Sequence, residues 1–281
     1  MRAGQVAHRD FNEKREKTNY RNFGCTYVVK NAHSERINCL CYLVNGTFAT
    51  GSSDKFLRVW RPLDQKPLGN LEEDMSVTLM VRMGKTQQQD VTMLYVAQKV
   101  LRYLSIKQQK AIFLYRDEQE ITAIAKVNSD SIVVIGTANG MIKDFDVKSK
   151  CIIRNAKIHN GARIAAIISQ GNYLISCSPD NGLVVIYDYK NQQLYKELNT
   201  RGQLIMKPSS LHLMKGDKLL AVSDDKTLSI IDIEKGNVAK HTSGNRDTSH
   251  LFKLATPDGS GTNAFAGATS TGLLKIWTEV L

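Results

Sequence analysis

Between Thr26 and Trp277, apolar residues come in short runs cut by polar, often Gly-containing turns, and the runs recur in a fixed order. The segment from His33 to Trp60 shows that order best. It has a His, two apolar runs, the tetrad Gly51-Ser52-Ser53-Asp54 and a third run ending in Trp. Eroded copies follow, with third runs ending at Leu104, Phe145, Tyr187, Ile231 and Trp277, a period of about 43 residues and about six copies. The runs LRVW (57–60), LRYL (101–104), IKDF (142–145), VVIY (184–187), LSII (228–231) and LKIW (274–277) predict the third strand of each copy. Short polar links then lead into fourth runs such as AIFLY (111–115) and CIIR (151–154), which predicts hairpins.

Strands this short with apolar residues on both faces do not fit a sheet that leaves one face in water. Small sheets stacked radially, as in a β-propeller, bury both. Outside residues 1–20 no stretch carries a helical apolar period. The expected fold is therefore all-β, a propeller of about six blades. The last copy stops three strands in, and Cys25–Val29 (CTYVV) is the simplest source of the missing fourth strand. Such closure hides an otherwise unpaired edge. A seven-bladed wheel, or one completed by a partner's strands, fits the same period.

The repeat resembles the WD-repeat family over nearly the whole chain. In that family a blade is often locked by a buried series of a His from the inter-blade loop, a Ser or Thr on the second strand, an Asp in the tight turn and a Trp on the third strand. Here His33, Ser52, Asp54 and Trp60 match all four positions. The fourth copy keeps His159, Ser178 and Asp180 but has Tyr187 for Trp and one extra residue in its turn. The fifth keeps Ser223 and Asp225, the third Thr137 and Asn139, and the sixth Thr269, Thr271 and Trp277. The second, around Gln98, keeps almost nothing polar. The resemblance also implies a contact surface made by the loop leading into each blade and the turn between its second and third strands. On this chain that surface holds Glu35, Arg36 and Lys55, then Glu120, then Asn160, Arg163 and Asn181, then Asp224 and Lys226. Their mixed signs suit a polar peptide better than a single anion.

Composition narrows the reading. The 281 residues read as a charged extension over 1–22, expected to be flexible or partner-docking, and a single propeller over 23–281. Five cysteines, an odd number without paired zinc spacing, read as small core residues in a reducing compartment. With no long apolar span and no signal-peptide core, the expected location is intracellular, cytoplasmic or nuclear. Asn45-Gly46-Thr47 reads as a hairpin turn more than as a glycosylation site.

The formal net charge is +11. Lysines recur in the links between third and fourth strands: Lys66, Lys107, Lys110, Lys148, Lys150, Lys190 and Lys235. They form either a basic rim or ordinary soluble turns. Aromatic residues are only 7% of the chain and sit mostly at core positions, so stacking platforms for nucleic acid are not evident.

Catalytic signals are thin. The Ser, His and Asp of the repeat do not form a hydrolase triad, because Ser52 lacks a nucleophile-elbow context and Asp54 is its near neighbour. Gly84-Lys85-Thr86 looks like the end of a phosphate-binding loop, but Leu79 stands where its first Gly is required. No metal motif, cofactor fingerprint or paired carboxylates appear, so no cofactor and no enzymatic activity are expected. The sequence therefore predicts a non-catalytic adaptor that docks proteins or peptide segments in a larger complex. The alternative is a subunit of a ribonucleoprotein or ribosome-assembly particle that lays its basic rim on RNA phosphates. A phosphoinositide-binding propeller is a third option, but its paired-Arg signature is missing.

Overall fold

A computed structural model describes residues 32–43, 47–61, 66–85, 90–127, 129, 131–199, 208–213, 218–223, 228–235, 237–242, 248–254, 264–269 and 274–278. The chain divides into two units, Met1–Ala32 and His33–Leu281, and every described sheet belongs to the second. The expected extension over 1–22 and the expected closing strand Cys25–Val29 lie outside the described residues, as do Asn45 and Gly46.

The described residues form six antiparallel sheets, each a meander in chain order. The first holds β1 (Ile37–Tyr42), β2 (Phe48–Ser52), β3 (Phe56–Trp60) and β4 (Gly69–Glu72). The second holds β5 (Val77–Lys85), β6 (Val91–Ala97), β7 (Val100–Ser105) and β8 (Lys110–Arg116). The third holds β9 (Ile121–Lys126), β10 (Ile132–Thr137), β11 (Met141–Asp146) and β12 (Cys151–Lys157). The fourth holds β13 (Ala166–Gln170), β14 (Tyr173–Ser178), β15 (Leu183–Asp188) and β16 (Gln193–Asn199). The fifth holds β17 (Pro208–Leu213), β18 (Lys218–Ser223), β19 (Leu228–Asp232) and β20 (Asn237–Thr242). The last holds three described strands, β21 (Thr248–Leu254), β22 (Ala264–Thr269) and β23 (Leu274–Thr278). All six third runs of the sequence are third strands. Gly84 and Lys85 belong to the end of β5, paired with Thr92 and Val91, and so form no phosphate cradle.

The core lies between sheets, as short two-faced strands require. Leu57, Val59 and Cys41 of the first sheet pack with Val77, Met93 and Tyr95 of the second. Leu94, Val96 and Leu101 meet Ile121, Ile135 and Phe145 of the third. Val134 and Ile142 meet Ile167, Leu174 and Tyr187 of the fourth, whose Ile175 and Ile186 meet Leu211, Leu219 and Ile231 of the fifth. Two glycines permit the closest approaches. A Cβ at Gly51 would lie 2.5 Å from Val77 Cγ1, and one at Gly136 would lie 2.9 Å from Ile164 and Ile167.

Two irregularities recur at fixed places. Fourth strands bulge where Leu114, Ile153, Tyr195 and Ala239 stand as the extra residue. First strands bulge at Asn38, Thr78 and Thr122. The second set is used: Asn38 Nδ2 donates to Val77 O at 3.1 Å and Thr122 Oγ1 to Ile164 O at 2.6 Å, each tying one sheet to the next. A bulge aims a side chain off the ladder at the cost of one local pairing.

Candidate protein interface

The first sheet holds a connected polar lock. His33 Nδ1 lies 2.9 Å from both carboxylate oxygens of Asp54, and Nε2 lies 2.7 Å from Thr50 Oγ1. Trp60 Nε1 donates to the same Thr50 Oγ1 at 2.8 Å. The ionised Asp54 carboxylate can only accept, which places the proton of the neutral imidazole on Nδ1; Nε2 then accepts from the Thr50 hydroxyl, whose oxygen accepts from the indole N–H. Burial lowers the His33 pKa, against the pull of Asp54. At Asp54 burial works against ionisation. The bonds from His33, the Phe56 and Ser34 amides and Ser52 outweigh it and hold the carboxyl at about 2.

The hydroxyl in this series is Thr50 and not Ser52. The two residues share a face of β2, and Trp60 pairs with Phe48, so the indole meets the hydroxyl nearer that end of the strand. Ser52 instead braces the turn, donating to Glu35 O at 3.3 Å and accepting from Asp54 N at 3.1 Å.

The fourth sheet departs in the same way. His159 is fully buried, and its Nε2 lies 2.9 Å from Ser176 Oγ, two residues before Ser178. The extra turn residue moves Asp180 to the surface, where it accepts from Arg163 N at 3.1 Å. Asn181 takes the place that Asp54 holds in the first sheet: its Oδ1 accepts from Leu183 N at 3.0 Å and its Nδ2 donates to His159 O at 3.2 Å. An amide gives no counter-charge. Burial therefore pushes the His159 pKa down to about 4, with Asn181 opposing only in part.

The second and third sheets keep the lock's position and change its chemistry. The backbone N–H of Glu73 bonds Lys55 O, that of Asp117 bonds Lys99 O, and that of His159 bonds Gly140 O, so the three residues stand at one structural position. Glu73 is buried, accepts from Tyr95 Oη and pairs with Arg102 Nε at 3.0 Å. Tyr95 pairs across the sheet with Arg102 as Thr50 pairs with Arg58, so it occupies the hydroxyl position. In the third sheet Asp117 accepts from Tyr115 Oη at 3.0 Å and pairs with Lys143 Nζ at 2.7 Å. Burial disfavours the Asp117 charge, but Lys143 and the Gln119 amide prevail and lower its pKa, while Asp117 raises that of Lys143. The second blade is thus not stripped of polar residues. Its lock is an ion pair, carried by residues the His-Ser-Asp-Trp pattern does not look for.

Above these locks lies the expected contact surface. Glu35, Arg36, Lys55, Glu120, Asn160 and Arg163 are exposed, and Asn181 is partly so; Asp224 and Lys226 lie outside the described residues. The backbone beneath them is tied down. Arg36 O accepts from Ser53 N at 2.9 Å, and Glu120 O accepts from Ala138 N at 3.0 Å. Lys55 at φ 70° and Asn160 at φ 48° hold left-handed turn positions. The loop leading into the second sheet adds Asp74 and Met75, both exposed, which the sequence reading passed over.

The opposite ends of the sheets carry Lys66, Lys107, Lys110, Lys148, Lys150, Lys190 and Lys235, all exposed. Several share their turns with a carboxylate. Asp146 accepts from Lys148 N at 3.1 Å and Ser149 Oγ at 2.8 Å, Asp188 from Asn191 N at 3.0 Å, and Asp232 from Lys235 N at 2.8 Å. Bonds from Ser149 and Lys148 N lower the Asp146 pKa, and those from Asn191 lower that of Asp188. The lysine charge is interleaved with fixed negative charge.

Meandering antiparallel sheets packed face to face, with a polar lock where the linking loop meets each of the first four sheets, define a propeller-like repeat architecture. The family model described as "WD domain, G-beta repeat" matches residues 24–61, the segment that carries His33, Thr50, Asp54 and Trp60. Among solved structures the chain is similar to the computationally designed Ika8 protein, at a TM-score of 0.66 and 20% identity, covering 88% of this chain and 72% of that one. No curated protein matches by sequence. Residues 24–61 thus carry a WD repeat, within a chain whose sheets are propeller-like in order and packing.

Proposed function

We propose that this protein is a non-catalytic scaffold that docks protein or peptide segments across its leading loops and second-to-third-strand turns, within a larger intracellular complex. WD40 repeats generally mediate protein–protein interaction. One observation carries the reading to this surface: the backbone of these loops is fixed by buried locks and paired to the neighbouring turns, while the side chains above remain exposed and of mixed charge. A rigid base with exposed polar groups suits recognition, since little ordering entropy is lost on contact. Replacing Arg36 and Arg163 by Ala is expected to abolish capture of specific proteins from cell extract with an unchanged melting temperature. The same proteins captured in undiminished amount would remove the assignment.

The proposed ring has six blades, with Cys25–Val29 as the outer strand of the last. Its support is a comparison of equivalent positions. Met80, Ile124 and Ile167 pack against the preceding sheet, whereas Leu40, at the same register on β1, is 55% exposed. Closure would cover Leu40. The RNA-binding reading has less support, because the aspartates within the lysine turns repel phosphate as the lysines attract it. Crosslinked RNA recovered from cells, and lost on changing Lys148 and Lys150 to Glu, would restore it.

A further inference from the structure

We infer that Asn160–Gly161, in the loop leading into the fourth sheet, is a site of spontaneous deamidation, singled out by the fold from the other two Asn-Gly pairs among the described residues. Three such pairs lie among the described residues: Asn139–Gly140, Asn160–Gly161 and Asn181–Gly182. A fourth, Asn45–Gly46, lies outside them. In this reaction the backbone nitrogen of the Gly attacks the side-chain carbonyl carbon of the Asn. A C–N bond forms, the amide nitrogen leaves as ammonia carrying the Gly N–H proton, and a succinimide results. Solvent water then opens the ring at either carbonyl, giving aspartate or isoaspartate. The step needs a free Asn side chain, a free Gly N–H, and room for the peptide to turn.

Two of the three pairs lack these conditions. Asn139 Oδ1 is 2.6 Å from Thr137 Oγ1, and Gly140 N donates to Thr137 O at 3.1 Å. Asn181 uses both ends of its amide, on Leu183 N and on His159 O, and Gly182 N donates to Ser178 O at 3.0 Å. Both glycines are buried. Asn160 and Gly161 are both exposed, and neither the Asn160 side chain nor the Gly161 N–H has a hydrogen-bond partner among the described residues. Nothing lies within 4 Å of the place a Gly161 Cβ would occupy. The peptide already sits in a left-handed turn, φ 48° then 90°, where glycine rotates freely.

The product alters the proposed docking surface. Either form adds a negative charge to the loop that meets Asp180, and isoaspartate also inserts a methylene into the main chain beside His159, whose ring and carbonyl are held in the lock. The chemistry itself does not depend on what the surface binds.

The test is residue-level peptide mapping of the purified full chain, aged folded at mildly alkaline pH and, in parallel, aged in concentrated urea. In the folded protein Asn160 is expected to convert roughly tenfold faster than Asn139 or Asn181, whose conversion must wait for local opening. In urea the three rates converge. An isoaspartyl methyltransferase is expected to label the folded protein's peptide containing residue 160. Asn160→Gln, which keeps an amide, removes that label and leaves the other sites unchanged. Equal rates at the three sites in the folded protein, or an intact Asn160 beside a converted Asn181, would overturn the inference. So would a label that persists on that peptide in Asn160→Gln. Failure on any of these counts leaves the scaffold reading standing, since that is tested by capture of partners and not by deamidation.

Discussion

The first and second blades solve one problem with opposite chemistry. Each must hold a linking loop against the end of a sheet and satisfy the polar groups trapped there. The first uses a neutral imidazole between a carboxylate and a hydroxyl, with the indole N–H completing the series. The second puts a carboxylate where the His stands, a Tyr where the Thr stands, and reaches to Arg102 on the third strand. A cation follows at the same register in three blades, Arg58, Arg102 and Lys143, and in each it faces a buried carboxylate. What is kept through the first three blades is a matched set of buried donors and acceptors, whereas in the fourth His159 Nδ1 and Ser178 Oγ are buried with no hydrogen-bond partner among the described residues. The residue types change while the position of the lock stays.

The sharpest way to break this comparison is to leave one partner behind. Glu73→Ala strands Tyr95 Oη and the Arg102 guanidinium, whose side chain is only 26% exposed, and is expected to cost about 3 kcal/mol in urea unfolding. Adding Arg102→Met removes the orphaned charge and is expected to restore most of that stability. A cost below about 1 kcal/mol for the single change would place the pair in the class of surface ion pairs, and the second blade would then be held by packing alone.

Titration separates the first lock from the fourth. His159 has a folded pKa of about 4 against an ordinary 6.5, so between these values the unfolded chain binds a proton that the folded chain refuses. Stability is therefore intact above 6.5 and falls as pH drops toward 4, by about 3 kcal/mol in all. His33, lowered in the same direction, adds to this limb. Asp54 acts lower. Its folded pKa of about 2 against 3.8 gives stability that is complete above 3.8 and lost as pH falls toward 2, worth up to about 2 kcal/mol. Unfolding curves across this range should show two descending limbs, and His159→Gln should flatten only the upper one. A single limb confined to the lower window would mean that the folded chain protonates His159 as readily as the unfolded chain does.

Strand positions were legible because an apolar run between polar turns needs no partner to be recognised: LRYL, IKDF and LSII each became a third strand although each had lost the Trp of the first copy. The locks were legible only where the residue types survived. Glu73 and Asp117 fall at the blade period after His33, but an isolated acid between strands reads as solvated surface until the fold buries it against a cation some distance along the chain. The cations at one register were the available signal. Asn181 was displaced by a single inserted residue, which no spacing rule could resolve without seeing which turn amide found an acceptor.

The choice between Thr50 and Ser52 is the finest distinction and the smallest effect. Both hydroxyls stand on the same face of β2, and a strand's period of two makes them equivalent on paper. In the fold they answer to different neighbours. Thr50 is the shared partner of His33 and Trp60, so Thr50→Val leaves an imidazole nitrogen and an indole N–H buried without a bond, an expected cost of about 1–3 kcal/mol. Ser52→Ala removes one turn bond to Asp54 N and one long bond to Glu35 O, an expected cost of about 0.5–1.5 kcal/mol. The ratio is the informative quantity. Thr50→Val should also shift tryptophan emission, because Trp60 Nε1 loses its acceptor, while Ser52→Ala should leave the spectrum unchanged. If Ser52→Ala proved the costlier change and moved the emission, the indole would bond the second hydroxyl, and the series would run through the tight turn after all.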